Sequence, residues 1–373
     1  MKPEFPAISL WEKETFFRKR DVVIIGAGFT GLWTALSVKE RFPEKSVLVT
    51  ERSAIPLGAS TRNAGFACFG SLTEVLADSE LLGWEKTLNL VKMRFDGLQK
   101  IQQFFGADEI DYEQCGGYEL LKDRAVLKHL DEVNEKLSSI TGVAETFVLN
   151  EQKKDIFGFA EAEYLIENPF EGALHSGKLL MNLMKRCQDQ DIEFLFGTEI
   201  TAVNEEDSQV IVTGPNFRVE ALQIVMCTNA FAKNLVPDAE VTPARGQILL
   251  TEPIENLKLK GTFHYDEGFY YFRNVGNRIL LGGGRNQDFK TEETLEMVTT
   301  DFLQNHLQYF LKTVILPGKT VRVDQRWSGI MAMGAEKFPV MKRLTNRQLL
   351  VARLSGMGVA LAPVLGEKAA DML

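Results

Sequence analysis

The residues best placed to do chemistry lie between Asp21 and Glu51. An apolar run, Val22-Val23-Ile24-Ile25, leads into Gly26-Ala27-Gly28-Phe29-Thr30-Gly31. A helical pattern follows (Leu32, Ala35, Leu36, Val38), and a second apolar run, Val47-Leu48-Val49, ends at Glu51. The order is strand, glycine turn, helix, strand, acid. Gly26 permits the tight turn, Gly28 lets the backbone approach a pyrophosphate, and Gly31 lets helix and strand pack together. The helix start faces the anion, and Glu51 can accept a bond from a ribose hydroxyl. The competing reading is an α/β crossover with an incidental glycine turn. The context favours a dinucleotide site.

A second glycine turn, Ser355-Gly356-Met357-Gly358-Val359, stands near the other end, between the apolar run Leu349-Leu350-Val351-Ala352 and a closing helix. Its open backbone N–H groups and the helix dipole, about half an elementary charge at the N-terminus, suit an anion. A reduced flavin carries negative charge around N1 and O2, and a helix start aimed there favours hydride arrival at N5. A nicotinamide cofactor would not need this second site. A glycine-capped helix without a ligand is the plainer alternative.

With these motifs and Gly58-Ala59-Ser60-Thr61-Arg62-Asn63-Ala64-Gly65 between them, the chain resembles the FAD-dependent D-amino-acid oxidase-like oxidoreductases. That family includes glycine oxidase, sarcosine oxidase and gamma-glutamylputrescine oxidase, and the middle loop is most similar to the last of these. The resemblance implies that Gly26, Ala27, Gly28, Phe29, Thr30 and Gly31 contact the FAD pyrophosphate, with Glu51 on the adenosine ribose and Arg52 beside the adenine. Ser60, Thr61, Arg62, Asn63, Ala64, Gly65 and Phe66 would run along the isoalloxazine. Val203 would meet the adenine through its backbone. Cys227-Thr228-Asn229 stands where the family usually has Ala-Thr-Gly, and Asn tolerates positive φ better than other non-glycine residues. Gly356, Met357, Gly358, Val359 and Ala360 would cover the pyrimidine side. Arg62 could equally pair with a protein carboxylate.

Members of this family remove a hydride from the carbon beside an amine, and water hydrolyses the imine. The flavin carries the chemistry, so no side-chain acid or base is obligatory. Three departures bear on the substrate. Glycine-oxidase-like members bind the substrate carboxylate with an arginine where this chain has Met331, unless Arg285 or Arg273 substitutes. Residues 327 to 341 contain no cysteine, so FAD is expected to be non-covalent. The lysine that assists reaction with oxygen in sarcosine-oxidase-like members is missing from Arg278-Ile279-Leu280-Leu281-Gly282, which leaves O2 or another electron acceptor open. Strand alternation places Phe269 and Tyr271 on one face and Tyr270 and Phe272 on the other, and one face would roof the substrate cavity. The substrate candidates are Tyr270, Tyr271, Arg285, Trp327 and Met331. His264 reads as a polar strand residue.

The elements that position these groups imply an α/β fold. A Rossmann-like FAD-binding domain (residues 1–85, 165–240 and 328–373) is interleaved with an α+β substrate domain on a mostly antiparallel sheet (86–164 and 241–327). Helical periodicity covers 86–105, 123–140, 176–190 and 291–311. Residues 1–20 are expected to wrap the surface near the dinucleotide site.

The bulk composition excludes other classes. Hydrophobic content of 45% and charged content of 25% are ordinary for a globular protein, and a net charge of −9 without a basic cluster argues against nucleic acid. No run approaches the roughly 20 apolar residues of an integral membrane segment. Cys68, Cys115, Cys187 and Cys227 form no CxxC pair, which fits a reduced, cytoplasmic protein. The four histidines are scattered, so no metal is expected. Met1 to Pro6 holds no signal-peptide core, and the chain stops at Leu373 within an expected helix, which leaves its natural end open. The sequence thus implies oxidation of the C–N bond of a small-molecule amine or amino acid. The alternatives are a flavin dehydrogenase of a non-amine substrate such as a hydroxy acid, or a flavin-binding scaffold without turnover.

Overall fold

The computed structural model describes residues 7–215 and 217–373. They divide into two compact units, each built from separated stretches of chain. The first comprises Met1–Thr61, Gly177–Pro243 and Met331–Leu373; the second comprises Arg62–Ser176 and Ala244–Ile330. Residues 62–85 and 165–176, expected in the cofactor domain, lie in the second unit. The cause is local packing. Phe66–Ala67 pairs with Gly172–Ala173, and the helix Leu72–Leu82 packs on the helix Trp84–Phe104.

The first unit is built on a sheet in which five strands run parallel: Gln348–Ala352, Phe217–Met226, Arg20–Ile25, Val47–Thr50 and Glu193–Leu195, in that spatial order. Val340–Arg343 extends the edge antiparallel, and the meander Ala202–Glu206 and Gln209–Gly214 joins Phe217–Met226. The parallel strands are apolar and buried over Val22–Ile25, Val47–Val49, Ile224–Met226 and Leu349–Ala352, as in a sheet covered by helices. The helix Phe29–Arg41 is buried without a break from Phe29 to Val38, and the closing helix Gly358–Asp371 packs against it. A helix apolar on all sides belongs to an interior.

The second unit is built on an eight-stranded sheet in the order Val323–Met333, Thr242–Thr251, Arg278–Gly283, Tyr270–Val275, Thr262–Tyr265, Gly117–Leu121, Tyr164–Asn168 and Val148–Leu149. From Thr242–Thr251 to Thr262–Tyr265 and from Gly117–Leu121 to Val148–Leu149 the pairings are antiparallel, and Thr262–Tyr265 runs parallel to Gly117–Leu121. One face buries an aromatic core: Phe263 stacks on Phe272 at 4.9 Å and on Tyr118 at 5.1 Å. The opposite face is mixed: Ile248 and Leu280 pack with Ala64, and Glu119, His264 and Tyr271 stand in one row on it.

The helix expected over 291–311 is broken. A single turn, Phe289–Glu292, is followed by an irregular stretch and then the helix Asp301–Phe310. Glu292 is drawn to the buried Arg245, which donates to it at 2.8 and 2.7 Å. Thr300 then caps the new helix while its N–H bonds to Gln247. Two polar strand residues therefore override the apolar periodicity. At the N-terminus, Leu10–Glu14 is a short helix with Trp11 exposed, and residues 1–6 of the expected wrap lie outside the described residues. Among the described residues no helix is long and apolar enough to cross a membrane, and no cluster of His, Cys, Asp and Glu could hold a metal ion.

Phe263 lies at the centre of the aromatic face and is fully buried. Phe263→Ala is expected to cost about 3–5 kcal/mol of stability, measured by chemical denaturation; a loss under 1 kcal/mol would contradict this placement.

Candidate functional site

Parallel pairing fixes where the glycine turns meet. Ile25 is opposite Met226, and Met226 is opposite Leu350, so the strands end on one edge. Along that edge follow the turn after Ala352, the turn Cys227–Asn229, the turn Gly26–Gly31 and Glu51 after Val47–Thr50. Neighbouring strands are about 4.8 Å apart, so the two helix starts stand about 10 Å apart at strand level. Ligands of open parallel sheets bind beyond this edge.

The first turn is shaped for a close approach. Gly26 has φ +108°, and a Cβ there would lie 2.7 Å from the Cys227 carbonyl oxygen. A Cβ on Gly31 would collide with the Gly26 carbonyl. The helix Phe29–Arg41 has Gly28 at its N-cap and no side-chain cap. Ser60 Oγ accepts the Phe29 N–H at 2.9 Å, and Glu51 accepts N–H bonds from Ala27 (3.2 Å) and Ser53 (3.1 Å). The Glu51 carboxylate is thereby turned towards the glycine turn. The Arg52 guanidinium lies 3.7 Å from the Phe231 ring centroid. Val203 is half-buried in the meander opposite Val212.

The second turn is strained. Arg353 (φ 61°), Ser355 (φ 48°) and Gly356 (φ 84°) are all left-handed, which costs about 1–3 kcal/mol for each non-glycine residue. Side chains hold it there. Asn229, itself at φ 46°, accepts the Arg353 N–H at 3.2 Å. The Arg353 side chain donates to the carbonyls of Phe338 (2.8 Å) and Glu240 (3.1 Å). Asn in place of glycine at 229 therefore tolerates the backbone and also ties the middle turn to the last. The helix Gly358–Asp371 starts without a side-chain cap, and Met331 Sδ packs beside Gly356. Val359 and Ala360 are buried at its start.

Three observations test the fit to FAD. Both helix N-termini lack side-chain caps. The first turn packs Gly26 on the Cys227 carbonyl and Gly31 on the Gly26 carbonyl, which holds the helix start close to the strand edge. The hydroxyls of Thr228 and Ser355, one in each neighbouring turn, are buried without a hydrogen-bond partner. An elongated, multiply anionic cofactor suits all three.

In the second unit, Arg62 donates to the Ser328 carbonyl at 2.9 Å, and Trp327 Nε1 donates to the Arg62 carbonyl at 3.0 Å. Asn63 accepts from Gly65 N–H (2.8 Å) and the Ser176 hydroxyl (2.6 Å), while Thr61, at the end of the first unit, bonds to Pro56. Ala64 packs with Ile248 and Leu280 beside Phe66, Tyr271 and Trp327. Tyr270 and Tyr271 point to opposite faces. Tyr270 stacks on Phe310 at 4.5 Å inside the aromatic core, which removes it from the candidate substrate residues. Phe269 precedes the strand and packs against Phe289 instead of alternating with Tyr271. Arg273 donates to the carbonyls of Gly65 (2.7 Å) and Leu174 (2.9 Å), so it has no free fork for a carboxylate. Arg285 is different: its guanidinium lies 4.7 Å from the Phe289 ring centroid, partly buried, which lowers its pKa. The Tyr271 ring covers Gly282, and burial pushes its hydroxyl up to about 12.

Three buried titratable groups lie on or against this face: Glu119 and His264 on the sheet and Glu171 in the loop before Gly172–Ala173. Burial pushes Glu119 up to about 7 and Glu171 up to about 8. Burial pulls His264 down, against the opposing pull of Glu74. Glu119 carried one legible signal, an acid inside the strand Gly117–Leu121; Glu171 carried none.

A family model described as FAD dependent oxidoreductase matches residues 21–372. Gamma-glutamylputrescine oxidoreductase of Escherichia coli (strain K12) is 25% identical over 375 residues, covering 95% of this chain and 83% of that relative. L-2-hydroxyglutarate dehydrogenase of Escherichia coli (strain K12) is 22% identical over 338 residues, covering 77% and 72%. Among solved structures, glycine oxidase from Geobacillus kaustophilus shares the fold with a TM-score of 0.77 at 18% identity, covering 95% of this chain and 94% of that one.

A carboxyl whose pKa is raised on folding stabilises the folded state below its unfolded pKa, and that contribution is lost as pH rises through the folded value. For Glu171 the window runs from about 4.5 to about 8. Thermal melts of the wild type should fall across it relative to Glu171→Gln, which mimics the protonated acid. Parallel curves would contradict the burial argument.

Proposed function

Because the chain belongs to the family of FAD dependent oxidoreductases, we propose that it oxidises the C–N bond of an amine or amino acid, giving an imine that water hydrolyses. The names of its relatives support this reading, and so does a single observation in the second unit: Arg285, in the turn after the strand Arg278–Gly283, rests its guanidinium on the Phe289 ring, whereas Arg273 is bonded to carbonyls. An arginine remains a cation even when partly buried, and its planar fork suits a carboxylate. The substrate would therefore be an amine that also carries an anionic group, held by Arg285 and not by residue 331, where Met331 cannot bind an anion.

In the first unit, Gly26 to Gly31, Glu51, Arg52, Ser60, Thr61, Val203, Cys227 to Asn229 and Gly356 to Ala360 would hold FAD. Arg62 to Phe66 belong to the second unit. When bound, FAD supplies the hydride acceptor. The absence of cysteine from residues 327 to 341 supports non-covalent binding. Tyr271 keeps its proton throughout the neutral range, so it can donate a hydrogen bond without adding charge. Tyr271 and Trp327 present an apolar wall that excludes water from a reacting C–H bond. The position of the oxygen-assisting lysine is Leu281, buried in the aromatic core, which supports an acceptor other than O2.

Two variants test these assignments. Glu51→Gln should weaken FAD binding about 10–100-fold, the worth of a hydrogen bond to a charged group, read by fluorescence quenching. Arg285→Leu should raise KM for carboxylate-bearing amines by a similar factor with kcat nearly unchanged; an unchanged KM would remove Arg285 from the site. Anaerobic bleaching of the holoenzyme by amines, with ammonia or a smaller amine released, distinguishes amine oxidation from the second reading. That second reading, favoured by the hydroxyglutarate dehydrogenase relative, predicts bleaching by hydroxy acids and a keto acid without ammonia.

A further inference from the structure

The parallel strands of the first unit begin at the sheet edge opposite the glycine turns. Val22 is opposite both Val47 and Gln223, and Ile224 is opposite Gln348. The residues at or just before these positions therefore follow one another in strand order: Lys45, Asp21, Leu222 with Gln223, and Asn346 with Arg347. Together they line a cleft of about 390 Å³. Lys45 stands one strand spacing from Asp21 on one side, and Arg347 stands two spacings away on the other. The two cations are thus about 14 Å apart at strand level.

The charges along the cleft run positive, negative, positive, and each group is held in place with bonding capacity to spare. Asp21 Oδ2 accepts the N–H (2.8 Å) and the hydroxyl (2.7 Å) of Ser46, while its Oδ1 accepts no bond. The Ser46 hydroxyl holds the Asp21 carboxyl below the usual carboxylate range, so it is ionised at neutral pH. Lys45 Nζ donates to Gln223 Oε1 at 3.5 Å and lies 4.0 Å from the Phe42 ring centroid. Gln223 is braced from its other end, where Nε2 donates to the Leu373 carbonyl at 2.9 Å. Arg347 donates one N–H, from Nη1, to the Leu222 carbonyl at 3.2 Å, which leaves the rest of its guanidinium fork unused. Asp21 lies in the field of Lys45, and Glu205 in that of Arg347, but neither approaches to ion-pair distance. Glu205 is bonded instead to the Thr345 hydroxyl and the Gln348 side chain. Leu222 adds an exposed apolar surface between the charges.

We propose that this cleft is a binding site for a small amino dicarboxylate, a ligand with a carboxylate at each end of a short aliphatic chain and an ammonium between them. One carboxylate meets Lys45, the ammonium meets Asp21 Oδ1, and the second carboxylate meets the open part of the Arg347 fork. The methylene groups lie on Leu222. Two contacts of about 3 Å and the ligand's own length cover most of the distance between the cations, and the long Lys45 and Arg347 side chains close the rest. A plain dicarboxylate fits less well, because Asp21 between the cations repels it. A diamine fits less well, because each of its ends meets a cation. All the lining residues belong to the first unit, and none of them serves the cofactor or the substrate in the reading above. The site therefore stands apart from C–N oxidation.

The test is isothermal titration calorimetry of the full-length protein at low ionic strength. L-Glutamate is the probe, glutarate its analogue without the ammonium, and L-alanine an amino acid without the second carboxylate. The titrations are made in Arg285→Leu, which lacks the anion contact proposed for the substrate. L-Glutamate should still bind it saturably at one per chain. Glutarate and L-alanine should each bind about tenfold more weakly, since each loses one charge-assisted contact. Adding Lys45→Gln or Arg347→Gln should weaken L-glutamate binding by a similar factor, and added salt should weaken it further because charges open to water are screened. Where one of these two variants does not fold, the other decides. The inference is overturned by the absence of saturable binding, by an affinity indifferent to the cleft variants, or by glutarate or L-alanine binding as tightly as L-glutamate.

Discussion

The constraint on which the rest depends is the parallel pairing of three strands, Arg20–Ile25, Phe217–Met226 and Gln348–Ala352. They come from the beginning, middle and end of the chain, yet their carboxyl ends share one edge. That register alone brings together two helix N-termini, each with a partial positive charge. The turn between them contributes Asn229, whose side chain ties the last turn to the middle one. A slip in either register would separate the helix starts from each other and from Glu51.

The second unit solves a different problem with the two faces of one sheet. Strand alternation sends Phe263, Tyr270 and Phe272 into the aromatic core, and Glu119, His264 and Tyr271 to the polar side. The apolar face supplies stability. The polar face keeps acids and an imidazole out of water, where small changes in their surroundings move their protonation into the neutral range. A polar row of this kind is costly to bury unless its groups are hydrogen-bonded.

Much of the first unit was legible in the sequence because its signals are local. Gly26 to Gly31 with Glu51, and Ser355 to Val359, announce strand, turn and helix by short-range spacing. Asn229 could be read as a left-handed position from its residue type alone. What escaped was non-local. The helix expected over 291–311 is interrupted because Arg245 and Gln247, more than 40 residues earlier, capture Glu292 and Thr300. Arg273 and Arg285 look equivalent in sequence, and only the structure shows one bonded to carbonyls and the other resting on a phenylalanine ring. Tyr270 and Tyr271 could be assigned to opposite faces by alternation, but which face was the core depended on partners elsewhere in the sheet. The Glu74, Glu119 and Glu171 cluster is drawn from a helix, a strand and a loop, and no spacing in the sequence connects them.

The most direct measurement is an equilibrium titration of cofactor-free protein with FAD, followed by acid precipitation and spectroscopy of the supernatant. Two helix starts gripping one non-covalent cofactor predict saturation at one FAD per chain and full release of unmodified flavin into solution. No saturable binding, a stoichiometry other than one, or colour retained in the precipitate would contradict the account.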